Sequence, residues 1–231
     1  MAGWRGHLSY IADNGNVRGM EDFVVRTAPD GARSMTVTCR ILDTDVWRAC
    51  VLAVDAGFRP TEAYVRVTEA GCELGSARFV FGARAAQADT VDGRGTPGHS
   101  VVDLDGRVEG FGAHPVAADS WHVATLDLSK TGMAQTVTPF FACSLSYNGA
   151  DAPALVRNDL NLTVHGRETV TVPAGTFACL HFSIDDSFRP PERQRRYHVW
   201  CSDDGHFHFV KGRAFGFKPT LYVLDRWEAI P

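Results

Sequence analysis

Lysine is nearly missing from this chain. Only Lys130, Lys211 and Lys218 carry an ammonium, and arginine supplies the rest of the 23 basic residues. Set against 27 Asp and Glu, the formal net charge is −4, and no run of basic residues breaks the even spread. A nucleic-acid face needs clustered Lys and Arg to neutralise phosphates, so nucleic acid is not an expected partner. The arginine bias itself reads as genome composition. Long apolar runs are missing too. The N-terminal Met1-Ala2-Gly3-Trp4-Arg5-Gly6-His7 has no apolar centre of a signal peptide. Nothing later approaches the roughly 18 to 20 apolar residues of a membrane helix. Together these absences set the expectation of a cytoplasmic protein with no membrane partner. Cys39, Cys50, Cys72, Cys143, Cys179 and Cys201 include no C-x-x-C pair. They read as reduced, mostly buried apolar residues rather than a zinc or disulfide framework. Also absent are a G-x-S-x-G elbow, a G-x-x-x-x-G-K-[ST] loop, a dinucleotide fingerprint and H-E-x-x-H. No cofactor and no metal are expected.

What is present is a β pattern. Hydrophobic residues make up 45% of the 231 and charged residues 22%, enough for a full core in one β domain spanning residues 1–231. Asn14-Gly15, Asp30-Gly31, Asp92-Gly93, Asp105-Gly106, Asn148-Gly149 and Asp204-Gly205 are hairpin signals, because such turns need positive φ. β-rich runs lie between them: Val24–Arg26, Ser34–Ile41, Trp47–Val54, Glu62–Thr68, Arg78–Phe81 and Thr136–Ser144 in the first part. Leu155–His165, Thr169–Val172, Phe177–Ile184, Arg196–Cys201, His206–Val210 and Leu221–Trp227 follow. This spacing predicts a mainly β fold: a strongly curved antiparallel sheet of about twelve strands, a half-barrel or barrel, without βαβ crossovers. One main helix is expected from Pro115 to Leu126, with Pro at the start and apolar residues at helical spacing. Two stretches read as loops, Asp92–Gly98 and Asp185–Gln194 with its Pro190-Pro191 pair.

Three segments carry a resemblance. They are Arg59-Pro60 followed by Glu62-Ala63-Tyr64-Val65, then Val170-Thr171-Val172-Pro173-Ala174-Gly175-Thr176-Phe177, then Tyr197-His198-Val199-Trp200 followed by Asp203-Asp204-Gly205. The second resembles the V-P-A-G-T-F turn of bacterial DUF3108-like proteins, and the third their closing Tyr-x-x-Trp strand and Asp-Gly hairpin. The resemblance, mainly over the C-terminal third, implies a lipoprotein-carrier-like half-barrel wrapped around helical segments.

Histidine is the most informative residue type, with nine copies. His206-x-His208 would point both rings to one strand face. No carboxylate follows, so an exposed pair is the expectation there rather than a metal site. His181 and His198 fall on strands joined by one loop, so the two can meet beside Trp200 as an acid–base pair. His114 sits at the helix mouth, where it reads as a general base. Asp119 would fix its tautomer or simply cap the helix, and Trp121 would stack on a flat substrate. His114, Asp119, His181 and His198 are therefore the candidate catalytic set, expected to face one cavity. Tyr64, Arg78, Trp121, Tyr197 and Trp200 are the candidate substrate-binding residues. Tyr64 shares a face with Glu62, and a strand arginine such as Arg78 either snorkels outward or needs an inward partner.

Two functions from different classes fit. One is a cofactor-independent lyase, dehydratase or isomerase acting on a small apolar or aromatic molecule. The other is a non-catalytic carrier or sensor of a lipid-like or aromatic ligand. Either way the partner is a small apolar or aromatic molecule, with homo-oligomer formation left open.

Overall fold

A computed structural model gives the fold for residues 2–146, 148–185 and 195–231. Turn chemistry delivers the first hairpins where the alternation stops. β1 (Ala2–Ala12) turns at Asn14-Gly15, with Gly15 at φ +83°, into β2 (Val17–Thr27). Asp30-Gly31 then leads into β3 (Arg33–Ile41). The meander continues through β4 (Val46–Val54), β5 (Pro60–Glu69), β6 (Cys72–Phe81), β7 (Ala85–Asp92) and β8 (Pro97–Asp103). After the short β9 (Gly110–Gly112) come the helix α1 (Val116–Asp119) and a 3-10 turn, Ser120–Thr125. A second meander runs from β10 (Ala134–Ala142) through β11 (Val156–Val172), β12 (Gly175–Asp185), β13 (Arg195–Ser202) and β14 (Phe209–Gly216) to β15 (Thr220–Ile230).

The fifteen strands of the described residues form one sheet, and the two meanders join where β1 pairs with β15. β9 lies parallel to β10, and the other neighbours are antiparallel. The sheet does not close, because β8 and β9 are edges. Its curvature has local causes: bulges at His7/Leu8, Ala53/Val54, Val137/Phe140, Val164/Gly166 and Trp200/Cys201 each bend a strand. Strict alternation sorts the faces. Met35, Val37, Cys39 and Ile41 of β3 and Val46, Cys50, Leu52 and Val54 of β4 are buried on the concave side. The convex side carries exposed ion pairs such as Arg66–Glu73, which solvent screens and which add little to stability. Among the described residues no helix is long and apolar enough to cross a membrane.

The mainly β fold and its curved sheet agree with the sequence reading; three details differ. The described residues form fifteen strands rather than about twelve. β1 was not foreseen because Gly6 interrupts its inward apolar face between Trp4 and Leu8; a Cβ on Gly6 would sit 2.7 Å from Phe23 Cε1. The expected loop from Asp92 is instead a tight turn into β8, where the Asp92 carboxylate accepts the N–H groups of Arg94 (2.9 Å) and Thr96 (2.8 Å). The helix is short and passes into 3-10 geometry because it crosses the concave face and buries Val116, Ala117, Ala118, Trp121 and Val123 there. The expected loop around Pro190-Pro191 lies outside the described residues.

Candidate functional site

The interior site begins with two charged residues placed by alternation on the wrong face for charge. Glu21 follows Gly19 and precedes Phe23 and Val25 on the inward side of β2, and it is fully buried. Arg48 stands in line with Val46, Cys50 and Leu52 on β4 and is also buried. The Glu21 carboxylate accepts the backbone N–H of Val116 (2.6 Å), the N–H of Ala117 (3.0 Å) and the Tyr10 hydroxyl. The first N–H groups of a helix have no partner of their own and attract negative charge. Glu21 therefore fastens α1 across the inside of the sheet, the role Asp119 was given in the bland reading of the sequence. Burial pushes the Glu21 carboxyl up; the bonds from Tyr10 and the two amides, and the charge of Arg48, pull it back in part. Burial also raises the Tyr10 phenol well above its ordinary value.

Arg48 is held differently. One Nη donates to the carbonyl of Asn148 at 2.6 Å and the other lies 3.9 Å from Cys39 Sγ, while Nε has no hydrogen-bond partner among the described residues. No ion pair joins Arg48 to a carboxylate among the described residues. Asn148 and Gly149, which precede β11, lie over this guanidinium. Gly149 has φ +62°, and a Cβ there would collide with Arg48 and come within 2.8 Å of His114 Cγ, so only glycine fits. His114 itself has φ +72°, a region that non-glycine residues enter at a cost of roughly 1–2 kcal/mol. Its Nε2 lies 3.0 Å from the carbonyl of Ser144 and, as the group facing an acceptor, carries the proton.

These groups line a partly open cavity of about 170 Å³. Its walls include Ile41, Val116, Phe140, Leu160, Tyr197 and Tyr222, with Arg48, His114 and Asp119 as polar features. An apolar cavity of about 150 Å³ suffices to take benzene, so a ligand of one ring or little more fits here. His122 also borders it, 3.8 Å from Asp119 and edge-on to Phe140; burial drives its pKa down to about 4.

No protein-family model and no curated protein matches the chain. Among solved structures it is similar to a beta-barrel-like protein of domain of unknown function DUF1849 from Brucella abortus. The identity is 10% and the TM-score 0.63, over 100% of this chain and 99% of that one. It is more distantly similar to a DUF1089 family protein from Pseudomonas aeruginosa, at 12% identity and TM-score 0.46, over 82% and 87% of the two chains. The first similarity establishes a beta-barrel-like fold. It supports the half-barrel implied by the sequence resemblance without singling out the DUF3108-like family.

The single converging site expected from the sequence is not formed. His114, Asp119 and Tyr197 line the cavity. His181, His198 and Trp200 lie on the convex face of β12 and β13, because Tyr197 turns inward and its neighbour His198 must turn outward. Tyr64 and Arg78 also point outward from β5 and β6, where Arg78 Nε meets Glu62 at 2.7 Å. Trp121 is buried in the core, edge-on to Phe58 at 5.8 Å, away from this cavity, with no partner for Nε1 among the described residues. His206 and His208 sit before β14, stacked on each other and packed on Trp4. Tyr10, Glu21, Arg48 and Tyr222 were missed. The signal was in the alternation: Glu21 in step with Phe23 and Val25, and Arg48 in step with Cys50 and Leu52.

Proposed function

We propose that the protein is a non-catalytic binder of a small ligand with a flat apolar body and an anionic end, a carrier or sensor whose ligand occupies the interior cavity. One observation carries this reading: Arg48 is a buried cation on the cavity wall with no carboxylate partner among the described residues. Glu21 is near enough for the two charges to be felt, but its carboxylate is engaged by Tyr10 and two backbone amides rather than by the guanidinium. A buried arginine fork without a directly bonded carboxylate is costly and is shaped to accept one. The aromatic rings of Tyr10, Phe140, Tyr197 and Tyr222 suit the body of such a ligand. A ligand anion would supply the direct carboxylate contact that the described residues do not give Arg48. The buried, unpaired Cys39, Cys50, Cys143, Cys179 and Cys201 suit a reducing compartment.

Benzoate is the simplest probe. Calorimetric titration is expected to give one benzoate site per chain, and Arg48→Met is expected to weaken it about tenfold or more, as loss of a charged hydrogen bond of roughly 1.5–3 kcal/mol implies. Toluene, which has no anionic end, should discriminate little between the two proteins. Absence of benzoate binding up to millimolar concentrations would refute the proposal. A second reading, acid–base catalysis in the same cavity, is favoured by one observation, the strained backbone of His114 on a cavity wall that Asp119 also lines. Its test is whether His114→Asn, which tolerates positive φ, loses turnover of a bound compound while still binding it.

A further inference from the structure

We propose that the convex face carries a divalent transition-metal site, formed by His165, His181 and His198 and suited to Zn²⁺. The three residues come from three adjacent strands, β11, β12 and β13. The register explains how they meet. Val164 pairs with Phe182 and Gly166 with His181, so His165 is the extra residue of a bulge. A bulge re-aims a side chain, and this one turns the His165 ring over its neighbours. Its centroid lies 4.7 Å from that of His181 and 5.3 Å from that of His198. One ring nitrogen from each residue falls in a group whose members all lie within 4.8 Å of one another. His181 Nε2 and His198 Nδ1 are 2.8 Å apart. Zn–N bonds of roughly 2.0–2.1 Å in tetrahedral geometry set nitrogens about 3.3 Å apart, so side-chain adjustment alone closes the set.

The surroundings are those of a ligand set rather than of three solvated histidines. His181 Nδ1 faces Glu168 Oε1 at 3.3 Å, and Trp200 Nε1 donates to the same oxygen at 2.7 Å. A carboxylate behind the distal nitrogen fixes the tautomer and leaves Nε2 with its lone pair toward the cluster. Trp200 stacks on His181 at 4.2 Å and holds the ring plane. His165 Nε2 is 2.8 Å from Ser183 Oγ. Without an ion, the close His181–His198 contact needs one shared proton, with His198 Nδ1 donating. On binding, that proton passes to His198 Nε2, and both facing nitrogens become donors to the metal. Three imidazoles suit Zn²⁺, with Cu²⁺ binding more tightly by its general affinity order. His165 is exposed, so a fourth position opens to solvent, the arrangement of three-histidine catalytic zinc. The site is independent of the interior cavity.

Zn²⁺ titration against a competing chromogenic chelator tests this. The intact chain should take up one Zn²⁺ with micromolar or tighter affinity at pH 7.5, and its melting temperature should rise with added ion. His165→Ala should abolish that uptake while leaving the metal-free melting temperature close to wild type, since its side chain is exposed. Glu168→Gln should weaken affinity roughly 10- to 100-fold, the usual effect of losing the carboxylate behind a ligand. His206→Ala should bind as wild type does. No stoichiometric uptake by the intact chain below about 100 μM, or equal affinity in the His165→Ala and His181→Ala proteins, would overturn the proposal.

Discussion

At the scale of single residues, the molecule is organised by two charges that sit where strand alternation calls for apolar groups. Glu21 accepts three hydrogen bonds and ties helix to sheet. Replacing it by alanine leaves two amides buried without partners, each worth about 1–3 kcal/mol, and the Tyr10 phenol with only its weak contact to Cys39 Sγ. Glu21→Ala is therefore expected to lower the melting temperature by roughly 10 °C or more, at about 2–4 °C per kcal/mol for a chain of this size. Glu21→Gln, which keeps an acceptor, should lose markedly less; equal losses in a thermal scan would show that Glu21 is not the fastening. Thiol chemistry gives a second test. Cys72 is exposed and the other five cysteines are buried. Burial raises Cys39 and Cys143 to about 12 and Cys50 and Cys201 further still, and thiolate is the reactive form. Ellman's reagent should find one reactive thiol in the folded protein and six after denaturation without reductant. Four or fewer in the second measurement would contradict the reduced, unpaired state.

At the scale of elements, the helical segment and the bulged strand decide what the sheet can do. His122 belongs to the 3-10 turn, is buried, and has its pKa lowered from 6.5 to about 4 by burial. A histidine lowered in the folded state binds its proton more readily when unfolded. Stability is then complete above pH 6.5 and is lost as pH falls towards 4, by on the order of 3 kcal/mol for this residue. His208, also lowered to about 4 by burial, acts in the same direction. Urea unfolding at pH 7 and pH 4.5 should show this loss, and His122→Gln should reduce it; an unchanged pH dependence would mean that His122 is hydrated or already paired. Much of this level was readable from sequence. Pro115 marked the helical start, and the alternation of Phe177–Ile184 and Arg196–Cys201 put His181 beside His198, where their nitrogens do meet. The third member was not readable. His165 reaches the pair through a bulge, and a one-residue slip of register in a strand of seventeen residues leaves no mark in the alternation.

At the scale of the whole molecule, one open sheet serves as both wall and core. Its inner strands have a concave face that packs and a convex face that meets solvent, while the edge strand β8 is exposed on both faces. The curved all-β architecture followed from the turn dipeptides and the alternating runs. Which candidate residues share a compartment did not, because that depends on which parity of each strand faces inward. Tyr197 and His198 are neighbours in sequence and lie on opposite sides of the wall. Arg48 was passed over because a charge in a strand is ordinarily taken as an outward one, yet its parity matched Cys50 and Leu52. The interior cavity with Arg48 on its wall is the feature on which the proposed function stands. A crystal structure of the protein grown with 4-iodobenzoate tests it most directly, since the anomalous signal of iodine locates the ligand without interpretation of weak density. The expected result is iodine among Tyr10, Phe140, Tyr197 and Tyr222, with the carboxylate within hydrogen-bond distance of the Arg48 guanidinium. An empty cavity at saturating ligand, or iodine bound only on the convex face, would contradict it.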